Sequence, residues 1–281
     1  MDAVLDALAR RGGVGRAVAQ EGGRKRAGDR LLARAAGAME EVRVARVPVR
    51  GQGAAEDGAR VGMSLGPCKH LWKATGMRGR LITIEGLDGS GKTTLAESLA
   101  ARLRAVGREV ELLREPGGVE LSERIRGLVK DPGLDVDPRA EALLYAAARA
   151  QLVASRVSPA LEAGRWVLLD RFVDSSLAYQ GAGRGLGVEA VRAVNVFGTG
   201  GISPDRTLLL RADAGTRARR QAGRGEEPDR LEREDGAFFA AIAAAYDDLA
   251  AAEPARFRVL DAGAPPDAVL EAAVRALDDL V

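Results

Sequence analysis

Cysteine and histidine are almost missing from this chain: of 281 residues, one is Cys68 and one is His70. That leaves no material for a disulfide framework or a Cys/His zinc site within one chain. Lysine is scarce too, with five (Lys25, Lys69, Lys73, Lys92, Lys130) among 42 basic residues, so nearly all the positive charge is arginine. Aromatic residues make up 4%, thin cover for a basic surface that would bind nucleic acid. The longest apolar run, around Phe238 to Tyr246, falls well short of the ~20 residues that cross a bilayer. The first residues lack the apolar core of a secretory signal. These absences predict a soluble, cytoplasmic protein with no membrane or nucleic-acid partner, whose chemistry runs on carboxylates, arginine, lysine and backbone dipoles.

The net charge of +2 hides two unlike segments. Residues 1–76 carry 14 basic and eight acidic side chains, whereas residues 77–281 carry 28 and 32. The first segment is broken by Gly12-Gly13, Gly22-Gly23 and the small-residue stretch Gly51 to Gly62, and only Arg30 to Val44 could form an amphipathic helix. It is expected to be an extension outside the working domain, either a flexible tail or an upstream start wrongly assigned to the gene. From Arg80 the texture changes. Short apolar runs, Leu81–Glu85, Val110–Leu113, Trp166–Asp170, Thr207–Leu210 and Phe257–Leu260, alternate with helical patterns at Lys92–Val106, Glu120–Lys130, Pro138–Ala163, Val188–Phe197, Leu231–Ala252 and after Pro266. Five strands alternating with helices predict an α/β domain over 77–281, a parallel sheet flanked by helices.

Gly86-Leu87-Asp88-Gly89-Ser90-Gly91-Lys92-Thr93 fits G-x-x-x-x-G-K-[ST] and lies after the first strand and at the opening of the first helix. There, backbone N–H groups and the helix N-terminus can surround phosphate oxygens. Lys92 would reach the β- and γ-phosphates and Thr93 would hold Mg²⁺, with Thr94 beside it. Asp170, closing an apolar strand, is the acid expected near that ion. Neither an N-K-x-D tetrad nor an L-S-G-G-Q signature occurs, which leaves a small kinase or a nucleotide-driven switch.

Further stretches are informative: Arg114-Glu115-Pro116-Gly117-Gly118, Tyr145-Ala146-Ala147-Ala148-Arg149, and the segment from Asp170-Arg171-Phe172 to Tyr179-Gln180. With Thr199 to Asp205 and Asp229-Arg230-Leu231-Glu232, they make the chain from about Arg80 onward resemble the thymidylate kinase family, in its bacterial type. The resemblance implies the P-loop fold of nucleoside monophosphate kinases with an Arg-rich lid. It also implies phosphorylation of dTMP to dTDP by ATP-Mg²⁺ for dTTP synthesis, and a homodimer.

Residue chemistry agrees. Tyr145 and Arg149 lie four apart on one helix face, so the ring can stack on a pyrimidine while the guanidinium donates to a carbonyl. Thymine offers O4 as an acceptor where cytosine offers an amino group. Arg114 and Arg171 are guanidinium forks suited to the monophosphate. By resemblance, Ser176 and Gln180 lie near the base, Tyr179 crowds the sugar, and Asp88 faces the acceptor. No general base is required, because the attacking oxygen belongs to a phosphate already largely ionised. Catalysis is then positioning and charge neutralisation by Lys92, Arg171, Mg²⁺ and a lid arginine, Arg220 or Arg224. Another nucleoside monophosphate or deoxynucleoside kinase, and a P-loop switch or nucleic-acid-binding ATPase, are the rival readings.

Overall fold

A computed structural model of the protein describes residues 78–280, apart from 224 and 226. The expectations for residues 1–76 and for Arg224 lie outside the described residues. Five parallel strands, β1 (Leu81–Glu85), β2 (Val110–Arg114), β3 (Trp166–Asp170), β4 (Arg206–Arg211) and β5 (Phe257–Asp261), form one sheet in the order β2-β3-β1-β4-β5. β1 has no exposed side chain, as a central strand covered on both faces requires.

The alternation of side chains along β1 sorts the two faces. Ile82 and Ile84 join Leu168, Leu208 and Leu260 under α1 (Lys92–Ala105), through Leu95, Leu99 and Leu103. Leu81, Thr83 and Glu85 point the other way. There Leu81 packs with Leu169, Phe172 and Leu152, and Leu209 packs with Leu177, Ile242 and Tyr246. Thr83 and Glu85 thus bring polar groups onto a buried face, where Thr83 Oγ1 lies 2.9 Å from Thr207 Oγ1.

The remaining helices are α2 (Glu120–Lys130), α3 (Pro138–Leu152), α4 (Ser158–Glu162), α5 (Val173–Ser176), α6 (Val188–Thr199), α7 (Ala214–Ala222), α8 (Gly236–Ala252) and α9 (Pro266–Arg275). Several of them differ from the sequence reading. The expected helix Pro138–Ala163 is interrupted by a π-helical turn at Val153–Val157. The expected Leu231–Ala252 helix starts at Gly236, because the Asp235 side chain accepts from Phe238 N at 2.8 Å and caps it there. The Arg-rich segment contains α7, capped by Asp213, whose carboxylate accepts from Thr216 N and Thr216 Oγ1.

β1 leaves the sheet toward β2 while β3 leaves toward β4, so their C-terminal ends face a crevice from which the chain departs in opposite directions. That is where ligands bind in open parallel sheets.

Candidate functional site

The crevice is a cleft of about 880 Å³. One wall is the loop from Gly86 to Thr93. Gly91, at φ +93°, turns the chain into α1. Gly89, at φ +81°, lies so close to α7 that a Cβ would sit 2.7 Å from Arg217 O, which only glycine permits. Lys92 Nζ donates to Leu87 O at 3.0 Å, beneath the loop, and lies 3.8 Å from Asp88 Oδ1. Burial, and next the nearby Arg171, bring the Lys92 ammonium down to about 8. Thr93 Oγ1 donates to Asp170 Oδ2 at 2.9 Å, and Thr94 lines the same cleft.

Among the described residues, no cluster of three metal-ligating side chains occurs. A hydroxyl and a single carboxylate at the mouth of the Gly86–Thr93 loop are nonetheless a donor set that suits Mg²⁺, which keeps water and takes phosphate oxygens for the rest of its shell. The residues present therefore fit the ion.

Across from Lys92, Arg171 takes an unusual backbone conformation, φ +70°. Its guanidinium is largely buried. Nη1 donates to Gly86 O and Ser175 Oγ, both at 3.1 Å, and Nη2 to Asp88 Oδ1 at 2.5 Å and to Tyr179 Oη at 3.2 Å. Tyr179 Oη in turn donates to Asp88 Oδ2 at 3.0 Å. Burial alone would raise the Asp88 carboxyl, but Arg171, with Lys92 and the Tyr179 hydroxyl, outweighs it and holds the group well below the usual carboxylate range. Burial moves the Tyr179 phenol well above its ordinary value.

α3 supplies the opposite wall with Tyr145 and Arg149, both lining the cleft. Arg149 is 2% exposed, and four of its five N–H groups have partners. Nε donates to Glu115 Oε2 at 2.6 Å, Nη1 to Ser176 Oγ at 2.9 Å and to Asn195 Oδ1, and Nη2 to Phe172 O at 3.0 Å. Asn195 Nδ2 donates to Val191 O at 2.8 Å, which orients its amide oxygen toward Arg149. Burial pushes the Glu115 carboxyl up to about 7 against the pull of Arg149. Gln180 Nε2 donates to the fully buried Glu141 at 2.8 Å, and Arg230 Nη2 donates to the same carboxylate at 2.6 Å. Ser176 and Gln180 line the same cleft.

The arginines divide. Arg114 reaches the cleft but pairs with Glu123 at 3.1 Å, well apart in its partners from Arg171. Arg220 bridges the phosphate loop and the segment after β5, with Nη1 donating to Ser90 O at 3.3 Å and Nη2 to Ala262 O at 2.8 Å.

A family profile described as thymidylate kinase matches residues 84–273. The thymidylate kinase of Deinococcus radiodurans is 50% identical over 190 residues, covering 68% of this chain and 92% of that protein. That of Rhizorhabdus wittichii is 49% identical over 207 residues, 73% of this chain and all of the relative. The crystal structure of thymidylate kinase from Ehrlichia chaffeensis superposes with a TM-score of 0.59 at 29% identity, over 71% of this chain and 98% of that one. The chain belongs to the thymidylate kinase family.

Within this thymidylate kinase fold, four buried side chains support the cleft without having been singled out in the sequence. Glu85, closing β1, accepts from Phe172 N at 2.7 Å, Ser175 Oγ at 2.6 Å and Tyr246 Oη at 2.9 Å. Burial, with the Asp174 carboxylate adding to it, raises Glu85 to about 7. Glu115 and Asn195 hold Arg149, and Glu141 gathers Gln180, Arg184 and Arg230. Glu85 stands beside the phosphate loop and Glu115 beside Pro116, so motif proximity was available as a signal for these two. For Glu141 and Asn195 nothing in the sequence marked them.

Proposed function

We propose that this chain transfers the γ-phosphoryl group of ATP to dTMP, giving dTDP and ADP, as a cytoplasmic enzyme of dTTP synthesis. The observation that carries the reading is the convergence of Lys92 on the phosphate loop, Arg171 at the end of β3, and the Tyr145–Arg149 face of α3 on one cleft, in a chain of this family. A phosphate oxygen of dTMP attacks the γ-phosphorus as the bond to the β,γ-bridging oxygen breaks. The attacking oxygen carries no proton to be removed, so no side chain acts as a base. Lys92 neutralises the β- and γ-phosphates, Arg171 holds the acceptor phosphate, and Arg220 completes the charge shell on the lid side. Mg²⁺, held at Thr93 and Asp170, offsets phosphate charge when bound. The Tyr145 ring stacks on the base and Arg149 donates to its O4. Tyr179, fixed against Asp88, occupies the space a 2′-hydroxyl would need.

The test is ADP release with ATP-Mg²⁺ and dTMP, dUMP, dCMP or dGMP, on the full chain and on one begun at Met77. dTMP is expected to be the preferred acceptor for both proteins. Preference for dCMP would overturn the role of Arg149, and an inactive Met77 protein would overturn the assignment of activity to 77–281.

We also propose a homodimer. α3 and α6 pack together, and Leu143, Val196 and Phe197 on them are 58%, 53% and 92% exposed, an apolar face suited to a second copy. Phe197→Asp is expected to convert a dimer to monomer in sedimentation velocity. An unchanged dimer would place the interface elsewhere.

A further inference from the structure

We propose that Glu85 is a positioning residue for phosphoryl transfer, which locks the Arg171 turn to the phosphate loop and thereby sets where the acceptor phosphate sits. This rests on the reading of Arg171 as the cation that meets the acceptor phosphate.

Glu85 is the last residue of β1 and the phosphate loop begins at the next position, so its backbone belongs to the donor side of the cleft. Its carboxylate belongs to the acceptor side. Oε1 accepts from Phe172 N at 2.7 Å, the peptide immediately after Arg171, and Oε2 accepts from Ser175 Oγ at 2.6 Å, one helical turn on. A side chain that accepts from both ends of this short turn fixes it as an N-cap fixes a helix. The turn needs fixing, because Arg171 sits at φ +70°, a conformation that a non-glycine residue keeps only where its surroundings determine it.

The lock extends to the guanidinium. Arg171 Nη1 donates to Ser175 Oγ and to Gly86 O, both at 3.1 Å. Ser175 thus passes the Glu85 charge to Arg171, with its hydroxyl donating to one and accepting from the other, and the Gly86 carbonyl ties the same nitrogen to the phosphate loop. Glu85 is 0% exposed, so substrate does not reach it and its effect runs through Arg171.

Chemistry makes the carboxylate hard to replace. All three groups hydrogen-bonded to it can donate: Phe172 N–H, Ser175 O–H and Tyr246 O–H. Glutamine has the same shape but one acceptor oxygen, so its NH₂ must face a donor on one side, and the turn must move to relieve that.

The experiment compares Glu85→Gln, Ser175→Ala and Arg171→Ala in the full chain, titrating dTMP at saturating ATP-Mg²⁺ and ATP at saturating dTMP, with thermal melts of each. Glu85→Gln is expected to raise the KM for dTMP tenfold or more, on the order of what a small misplacement of a positioning group costs. Its KM for ATP is expected to stay within about twofold. Ser175→Ala is expected to move the dTMP KM in the same direction by a smaller factor. Equal changes in both KM values, or a lowered melting temperature with wild-type dTMP KM, would overturn the proposal. If Glu85→Gln does not fold, a wild-type dTMP KM in Ser175→Ala overturns it. Arg171→Ala separates the two ideas. A raised dTMP KM there with none in Glu85→Gln defeats the role of Glu85 alone, and an unchanged dTMP KM in Arg171→Ala defeats the acceptor reading and the proposal with it.

Discussion

Lys92→Ala is expected to lower kcat by on the order of 10²–10³-fold, the scale seen when one fixed donor to developing charge is removed, with the fold intact. The ammonium lies under the Gly86–Thr93 loop and donates to Leu87 O at 3.0 Å, so on the proposed reading it meets incoming phosphates already oriented. Its loss leaves no stranded partner, because Asp88 keeps Arg171 at 2.5 Å and Tyr179 at 3.0 Å. A pH signature accompanies the rate loss. In the free enzyme, burial and Arg171 lower Lys92 to about 8, so above pH 8 a growing share of enzyme lacks the charge. kcat/KM for ATP, which reports free-enzyme groups, is expected to fall as pH rises through about 8. Bound phosphates favour the protonated form, so the corresponding limb in kcat moves to higher pH. Steady-state kinetics from pH 6.5 to 9.5 check both. A limb near pH 8 that persists in Lys92→Ala would assign it to another group.

The strands were legible because their apolar runs are short, continuous and flanked by glycine or polar residues. β1 and β3 are read to the residue, and β2, β4 and β5 to within one. What escaped was structure that buries polar and apolar residues side by side. Val173 to Gly183 forms α5 and a π-helical turn that bury Asp174, Ser175, Ser176 and Gln180. A helix that turns polar groups inward shows no apolar period, and Ser and Asp are weak helix formers in isolation. α7 escaped for the opposite reason: it buries no residue at all.

The site divides the same way. Groups in the Gly86–Thr93 loop and at the end of β3 could be picked out as candidates because a local spacing matches a known chemistry. The acids behind them could not be read as partners. Glu115 meets Arg149 across 34 positions, Glu141 meets Arg230 across 89, and Glu85 meets Tyr246 across 161. No local pattern encodes such pairings, since the sheet order creates them.

Arg149→Leu is expected to destabilise the fold by about 3–5 kcal/mol, the cost of removing one partner from a buried ion pair. Glu115 is left behind, 5% exposed, with Oε1 already lacking a hydrogen-bond partner among the described residues. The sign with pH follows from its shift. Glu115 ionises at about 7 in the fold, above the ordinary 4.5, because burial outweighs the attraction of Arg149. A carboxyl raised in the folded state contributes stability at low pH that is lost as pH climbs toward its folded value. Removing Arg149 raises that value further, so above pH 7 the variant keeps losing stability where the wild type has levelled off, by about 1.4 kcal/mol per pH unit. Urea denaturation at pH 6 and pH 8.5 is expected to show the gap widening at the higher pH, and a constant gap would mean that Glu115 does not respond to Arg149. At pH 6, the folded variant is expected to lose about 10- to 100-fold in kcat/KM for dTMP and much of its preference over dCMP. The double variant Arg149→Leu, Glu115→Leu separates the two functions, because replacing a whole buried pair by apolar groups is commonly neutral or stabilising. It is expected to regain part of the lost stability, since Asn195 Oδ1 and Phe172 O still lack the donor that Arg149 gave them, without regaining discrimination. Recovery of both would reduce Arg149 to a counter-ion for Glu115 and remove it from base recognition.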